Sequence, residues 1–340
     1  MQKPKVLIMT GKFAEASREP IEKLKDAGFL VDERDFDTVG SITEEEFCEL
    51  IKGFDVLVVT GIIQVPRRVI ESADRLKMIA IRSAGFDPID VEAAREKGVL
   101  VTHNPGSNAD SVADMAVGLM LAVLRKIAKM DRLVRNGGWE REISLDMNGK
   151  VLGIIGIGRI GKIVVKRVQG FDMTIIANDI VEYKEFLERY GIESVSKEEL
   201  MERADIVTIH TPLDDSTQGM IGEKRLRLMK EKGILINTAR GPIVDERALY
   251  KALKEGWIAG AGLDVHMTEP PTFRPLVELD NVVSTCHIAG LSEGASYNMA
   301  VQTVEKIITY FRGGMPECVL TPGVEFPGKP MKMEGKIFHR

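Results

Sequence analysis

Two groups of residues in this 340-residue chain have the types and spacing to do chemistry. The first is Gly156-Ile157-Gly158-Arg159-Ile160-Gly161. It follows the apolar run Val151-Leu152-Gly153-Ile154-Ile155, and Asp179 stands 18 residues after its last glycine. An apolar strand, a Gly-x-Gly-x-x-Gly turn, a helix and a second strand ending near an acid form the fingerprint of a dinucleotide-binding βαβ unit. Gly156 permits the tight turn, Gly158 lets the main chain approach a pyrophosphate, and Gly161 lets the helix lie close to the sheet. The helix start, at Arg159 and Ile160, offers unpaired N–H groups and a positive dipole end to the phosphates. Asp179 can accept hydrogen bonds from the adenosine ribose hydroxyls and would repel a 2′-phosphate. The next residues, Ile180-Val181-Glu182-Tyr183, hold no basic partner for one. The cofactor expected is NAD rather than NADP.

The second group stands where apolar strands end. Arg240 lies in Asn237-Thr238-Ala239-Arg240-Gly241, Asp264 and Glu269 in Leu263-Asp264-Val265-His266-Met267-Thr268-Glu269-Pro270, and His287 in Thr285-Cys286-His287-Ile288-Ala289-Gly290. In an open parallel sheet the carboxyl ends of the strands face the ligand crevice, so these groups can converge beside a nicotinamide. Hydride transfer to a 2-oxo acid needs these types. An arginine fork binds the carboxylate. A histidine supplies the proton that the ketone oxygen takes up, and a neighbouring carboxylate orients that ring and favours its protonated form. Each residue also has a plainer reading: Arg240 as a surface cation, Glu269 as a solvated loop acid, His287 as a buried structural ring. His210, in Thr208-Ile209-His210-Thr211-Pro212, competes for the acid role and is placed instead in the wall of the cofactor site. His103 and His266 are read as structural. No His, Cys or Asp cluster has metal-ligand spacing, so no metal is expected.

The elements that must position these groups alternate. Residues 6–9, 55–60, 78–81 and 99–102 read as strands, with helices at 18–27 and 91–97. Fully apolar strands in such alternation imply a parallel sheet covered on both faces. A polar break at residues 103–108 precedes a long apolar helical run, 112–134, stopped by Asn136-Gly137-Gly138. A second, larger α/β unit with strands at 206–209, 234–237, 260–264 and 282–285 extends to about residue 290, and a helix over 295–311 carries the chain back toward the first unit. The tail from Thr321 reads as extended or poorly ordered. The length suits two domains, and 44% hydrophobic residues suffice for a core in each. A net charge of −5 argues against nucleic-acid binding. No membrane span or signal core is evident. Cys48, Cys286 and Cys318 read as free thiols of a reducing cytoplasm.

Taken together, Gly156-x-Gly158-x-x-Gly161, the stretch from Asp205 through Leu213, Asn237-Thr238-Ala239-Arg240-Gly241, Leu263-Asp264-Val265 with Glu269-Pro270, and His287-Ile288-Ala289-Gly290 resemble the NAD-dependent D-isomer-specific 2-hydroxyacid dehydrogenases. The resemblance runs from about Val56 to about Pro322. It implies two Rossmann-like, doubly wound parallel-sheet α/β domains separated by a cleft: a substrate domain of residues 1–103 with 295–340, and an NAD domain of residues 104–294. It implies closure by a hinge, and a homodimer formed through the NAD domains. By this resemblance Arg240 binds substrate, Glu269 partners the histidine and His287 is the acid/base. Asp264 holds the nicotinamide carboxamide, and His210, Thr211, Pro212, Thr238, Ala239 and Val112 line the cofactor. Ser83, Ala84 and Gly85 offer backbone N–H groups to the substrate carboxylate.

This sequence departs from the pattern at Asp114, where the family usually has glutamate, and at Cys286, where proline is common. Phosphoglycerate dehydrogenases tend to carry arginine where Thr60 lies; Arg82 or the pair Arg67-Arg68 would have to compensate. Ser107-Asn108 and Ser111-Val112-Ala113 resemble the phosphoglycerate branch, whereas Ala84-Gly85-Phe86-Asp87 resembles the D-lactate branch. The expected function is hydride exchange between NAD(H) and a small D-2-hydroxy acid. The alternatives are phosphoglycerate oxidation in serine biosynthesis and an NAD(H)-sensing role like that of the C-terminal-binding corepressors. Formate dehydrogenases usually carry glutamine where Glu269 stands.

Overall fold

The computed structural model describes residues 3–10, 13–36 and 42–324. Two compact units divide the chain, one of Met1–Asn108 with Leu291–Arg340 and one of Ala109–Gly290.

In the first unit, strands β1 (Lys5–Ile8), β2 (Leu30–Glu33), β3 (Val56–Val59), β4 (Met78–Ile81) and β5 (Leu100–Thr102) form an all-parallel sheet in the order β2-β1-β3-β4-β5. Every residue of β3, β4 and β5 is buried, as a strand covered on both faces requires. The covering helices include α1 (Glu19–Asp26), α2 (Glu44–Leu50), α3 (Arg67–Ser72) and α4 (Val91–Glu96). Thr43 and Glu46 close a capping box at the start of α2, which satisfies two of its orphan N–H donors.

The second unit opens with α5 (Ala109–Leu124) and α6 (Ile127–Arg135). The apolar run 112–134 is therefore two helices rather than one. Lys126 takes the left-handed conformation, φ 54°, and turns the chain between them. No glycine or proline marks the break, so hydropathy alone reads straight across it. Strands β6 (Val151–Ile155), β7 (Thr174–Asn178), β8 (Glu193–Ser194), β9 (Ile206–Ile209), β10 (Ile234–Asn237), β11 (Gly260–Leu263) and β12 (Val282–Ser284) form a parallel sheet in the order β12-β11-β10-β9-β6-β7-β8. The order reverses direction between β6 and β9, the switch point at which doubly wound sheets bind ligands. Helices α7 (Arg159–Val168), α8 (Lys184–Tyr190), α9 (Lys197–Arg203), α10 (Glu223–Leu226), α11 (Glu246–Lys254) and α12 (Arg274–Val277) belong to this unit. Strand β11 reads Gly-Ala-Gly-Leu because α5 lies directly on it. A Cβ on Gly260 would stand 2.7 Å from Val123 Cγ1, and one on Gly262 3.0 Å from Leu119 Cβ.

Helix α13 (Glu293–Phe311) belongs to the first unit again. Its buried face packs Ala300, Val304, Ile307 and Ile308 into the core beneath β1, β3 and β4. The segment that follows is not loose at its start. Thr321 is fully buried; its Oγ1 accepts from Val101 N at 2.9 Å and donates to Val99 O at 3.2 Å, which ties the tail to β5. The rest of the expected tail, residues 325–340, lies outside the described residues.

Candidate active site

A parallel sheet brings all its carboxyl-terminal loops to one edge, and in the second unit that edge carries nearly every residue singled out by sequence. After β6, Gly156 turns at φ 97°, and a Cβ there would lie 2.7 Å from the His210 carbonyl oxygen. A Cβ on Gly161 would overlap the Gly156 carbonyl, so the first turn of α7 can sit this close to the strand only without a side chain. Gly158 is different: a Cβ there meets nothing within 4 Å, and no side chain caps α7. The helix start, with Arg159 exposed and Ile160 half-buried, is thus left open to a phosphate. Asp179, after β7, braces the same turn. Its Oδ2 accepts from Ile157 N at 2.6 Å and its Oδ1 from Val181 N at 2.8 Å.

At the end of β9, His210 Nε2 pairs with Thr208 Oγ1 at 3.0 Å, while Nδ1 is buried with no protein partner among the described residues. The residue is half-buried as a whole, yet its ring nitrogens are out of water. Burial pushes its pKa down to about 3, so the ring is neutral and cannot supply a proton near neutrality. Thr211 Oγ1 and Thr238 Oγ1 are likewise buried and unpartnered. Buried polar atoms rarely stay unsatisfied, so three of them at the ends of β9 and β10 suit a polar ligand.

The loop after β10 is shaped by Asn237, which is buried. Its Oδ1 accepts from Ala239 N at 3.0 Å and its Nδ2 donates to Arg240 O at 2.9 Å. Arg240 Nη1 donates to Ala239 O at 2.7 Å. Gly241 lies so close to the His266 carbonyl that a Cβ would overlap it, which fixes the Arg240 loop against the loop after β11.

That second loop carries Asp264, fully buried, with its carboxylate taken up by the loop after β12. Oδ1 accepts from Thr285 Oγ1 (2.5 Å) and Ile288 N (2.9 Å), and Oδ2 from Ala289 N (2.8 Å). The Asp264 carbonyl also accepts from His287 N at 2.8 Å. His287 sits between these ties at φ 57°, a conformation that costs a non-glycine residue about 1–3 kcal/mol and persists only where its surroundings impose it. Its Nδ1 meets Glu269 Oε2 at 2.7 Å, and Glu269 Oε1 accepts from His266 N at 3.2 Å. Burial alone would raise the Glu269 carboxyl. The hydrogen bond and charge of His287, with the N–H and charge of His266, outweigh burial and hold it below the ordinary carboxylate range.

The unit thus joins Asp264, Glu269 and His287 by hydrogen bonds and packs the Arg240 loop beside them. Sequence reasoning missed Asn237 and Thr285 as loop-shaping residues; a polar residue directly after an apolar strand is the one signal they carry. In the first unit, the loop after β4 holds Ser83, Ala84 and Gly85. Ser83 Oγ donates to Gly85 O at 3.0 Å, and His103 Nδ1 lies 2.8 Å from Ala84 O. Arg82 is 2% exposed, and its Nη2 donates to Ser296 Oγ at 2.6 Å. Arg67 pairs with Glu96 at 2.6 Å and Arg68 with Glu45 at 2.8 Å. Among the described residues no three His, Cys, Asp or Glu side chains are grouped to hold a metal ion.

The model of the NAD-binding domain of D-isomer-specific 2-hydroxyacid dehydrogenases matches residues 117–289. The chain belongs to this family. A glyoxylate reductase of Pyrococcus horikoshii is 38% identical over 337 residues, covering 96% of this chain and 99% of that protein. A D-3-phosphoglycerate dehydrogenase of Methanocaldococcus jannaschii is 44% identical over 299 residues, covering 87% of this chain but only 56% of the longer relative. Among solved structures, the TT0316 protein of Thermus thermophilus superposes with a TM-score of 0.85 at 34% identity, covering 93% of this chain and 99% of that one. A D-lactate dehydrogenase of Aquifex aeolicus, complexed with NAD and lactic acid, superposes with a TM-score of 0.81 at 27% identity, covering 93% and 99%. The protein is accordingly an NAD-dependent dehydrogenase of 2-hydroxy acids with the doubly wound α/β fold expected from its sequence. The residues of the dehydrogenase fit the dinucleotide: an open helix start at Gly158, an acid at the end of β7, and orphaned hydroxyl and imidazole groups beside the switch point.

Proposed function

We propose that this protein reduces a small, unphosphorylated 2-oxo acid of the glyoxylate or hydroxypyruvate type, with Arg240, Glu269 and His287 as its working residues. The observation that carries the reading is the 2.7 Å pair between His287 Nδ1 and Glu269 Oε2. With Nδ1 committed to the carboxylate, Nε2 is the atom left to give a proton to the ketone oxygen and to take it back in the reverse direction. Glu269 stabilises the imidazolium that this cycle requires. The Arg240 fork binds the substrate carboxylate and polarises the ketone. Gly156, Gly158, Gly161 and Asp179 would hold the dinucleotide, which when bound supplies or accepts the hydride. His210, neutral and walled in, lines the cofactor and takes no proton.

The arginines favour an unphosphorylated substrate. Thr60 stands where the phosphoglycerate branch has arginine, and each residue offered as a substitute is engaged elsewhere: Arg82 in the core with Ser296, Arg67 and Arg68 in ion pairs with glutamates. The test is a panel of 2-oxo acids followed by nicotinamide absorbance. NADH-linked turnover of glyoxylate or hydroxypyruvate is expected to exceed that of 3-phosphohydroxypyruvate at least tenfold in kcat/KM, about 1.4 kcal/mol of discrimination. Preference for the phosphorylated acid would overturn the substrate reading, and equal use of NADPH would overturn the role given to Asp179.

The assembly in this reading is a homodimer through the NAD-binding unit. Helix α6 has no buried residue, and the segment after it leaves Trp139 82% and Ile143 94% exposed. An apolar surface of this kind on one segment marks an interaction site. Light scattering is expected to give twice the 37.6 kDa chain mass, and Trp139→Glu with Ile143→Asp is expected to give monomers that still bind NADH. A double variant that remains dimeric would remove this face from the interface. Cys48, Cys286 and Cys318 are free thiols, and no helix among the described residues is long and apolar enough to cross a membrane; we place the enzyme in the cytoplasm.

A further inference from the structure

The first unit has a switch point of its own. Its sheet runs β2-β1-β3-β4-β5, so the order reverses direction between β1 and β3, and the crevice outside the carboxyl ends of those two strands is where sheets of this order take a ligand. The residues at that edge are Thr10 after β1, Thr60 and Gly61 after β3, and Arg82 and Ser83 after β4. Most of their polar groups are committed within the unit. The Thr10 carbonyl accepts from Phe13 N at 3.2 Å. Arg82 donates to Ser296 Oγ and lies over the Phe13 ring, 5.8 Å from its centroid. Ser83 Oγ donates to Gly85 O at 3.0 Å. Thr60 is the exception. Its carbonyl accepts from Ile63 N at 3.4 Å, which closes the turn, but its Oγ1 is buried with no hydrogen-bond partner among the described residues.

Buried hydroxyls seldom go unpaired, because an unmade bond costs the full desolvation of the group. The surroundings limit what this one can pair with. Gly61 fixes the loop after β3 against the loop after β4: a Cβ there would stand 2.8 Å from the Gly85 carbonyl oxygen and 2.9 Å from Ser83 Oγ. Thr60 is thereby held beside the loop of Ser83, Ala84 and Gly85. Phe13 and Ile63, from the loops after β1 and β3, are buried and apolar, and Arg82 is committed to Ser296. A neutral hydroxyl in such a setting matches a group that donates and accepts in turn, another hydroxyl, rather than a phosphate, which needs cations.

We propose that Thr60 is a specificity-determining residue: its hydroxyl pairs with the 3-hydroxyl of a 3-hydroxy-2-oxo acid and so selects hydroxypyruvate over pyruvate and glyoxylate. This rests on the reading of the protein as a reductase of an unphosphorylated 2-oxo acid. Thr60 as a residue is only half-buried, so one step between staggered χ1 wells carries Oγ1 from its covered position to the ligand. A site that hydrogen-bonds a substrate hydroxyl rejects the analogue without it, because its own polar group is then left unpaired.

The test is the ratio of kcat/KM for hydroxypyruvate to that for pyruvate, which differ only by this hydroxyl, in the parent, Thr60→Val and Thr60→Ser. A ratio cancels any loss of active protein. The parent is expected to favour hydroxypyruvate at least about tenfold. Thr60→Val exchanges the hydroxyl for a methyl group and is expected to lower the ratio about tenfold, whereas Thr60→Ser keeps the hydroxyl and should stay within about threefold of the parent. Thermal unfolding without substrate gives a second readout, independent of turnover. Removing a hydroxyl that has no partner in the protein should raise the midpoint of Thr60→Val by about 1–3 °C. An unchanged ratio or a lowered midpoint in Thr60→Val would mean that the protein or a buried water satisfies the hydroxyl, and a loss as large in Thr60→Ser would mean that packing sets the ratio; any of the three overturns the proposal. The proposal and the reading beneath it fail separately. Preference of the parent for 3-phosphohydroxypyruvate removes both, while turnover of the unphosphorylated acids with a parent ratio near one removes the role of Thr60 alone.

Discussion

Replacing His287 with Gln is expected to lower turnover about 10²–10⁴-fold, the usual contribution of a positioned general acid or base, with little change in NADH affinity. Gln has nearly the reach of the imidazole and can still donate to Glu269, so the loop keeps its anchor and the loss reports on the proton alone. The ring is held in place from three sides: Nδ1 by Glu269 Oε2 at 2.7 Å, its main-chain N–H by the Asp264 carbonyl, and the next two N–H groups by the Asp264 carboxylate. A histidine at φ 57° with this much support is one whose orientation the fold maintains against a local cost. Reduction uses the protonated ring and oxidation of the hydroxy acid the neutral one, so turnover should fall in both directions in the variant. Single-turnover measurements with saturating NADH would check this, and a rate within threefold of the parent with an unchanged pH profile would remove His287 from the chemistry.

How far the sequence could be read depended on whether the determining contacts are local. The glycine turn is legible as a motif although only Gly161, held against the Gly156 carbonyl, answers a local steric demand; Gly156 lies against the His210 carbonyl from the end of β9, and a Cβ on Gly158 would meet nothing within 4 Å. The strand ends are legible because β6, β9, β10 and β11 are almost wholly apolar and buried, so the polar residues at or just after each end mark the crevice edge. The break at Lys126 is not legible, since a lysine in the left-handed conformation leaves no compositional trace. Nor is the tie of Thr321 to β5, which joins residues 220 apart in the chain. Asp264 shows the same limit at the site. Its position at the end of β11 is evident from the sequence, but the three donors that fill its carboxylate come from residues 21 to 25 positions later. His266, read as structural, is buried in the loop after β11, and its neighbour Glu246, 3.7 Å away at the start of α11, comes from 20 positions earlier in the chain.

Arg240→Lys is expected to raise KM for the 2-oxo acid about 10–100-fold while NADH affinity stays within twofold. A hydrogen bond to a charged group is worth about 1.5–3 kcal/mol, and the substitution exchanges a planar two-donor fork for a single ammonium point charge. The charge is retained, so long-range attraction of the anion is not what is lost; the loss is bidentate geometry. The main chain at this position is set independently of the side chain, by Asn237 on the strand side and by the contact of Gly241 with the His266 carbonyl on the other. Lysine should therefore occupy the site without moving the loop, and the tie from Nη1 to Ala239 O at 2.7 Å is a bond an ammonium can replace. If Arg240 also polarises the ketone as hydride arrives, kcat falls together with the rise in KM, because an interaction made more strongly in the transition state than in the ground state is lost from both. Steady-state kinetics over a substrate series would separate the two parts. The corresponding aldehyde or ketone, which lacks the carboxylate, should show only the part of the loss that comes from polarising the carbonyl, and none of the part that comes from the carboxylate fork. An unchanged KM for the acid, or an equal loss on the substrate without a carboxylate, would assign the anchor to some other cation.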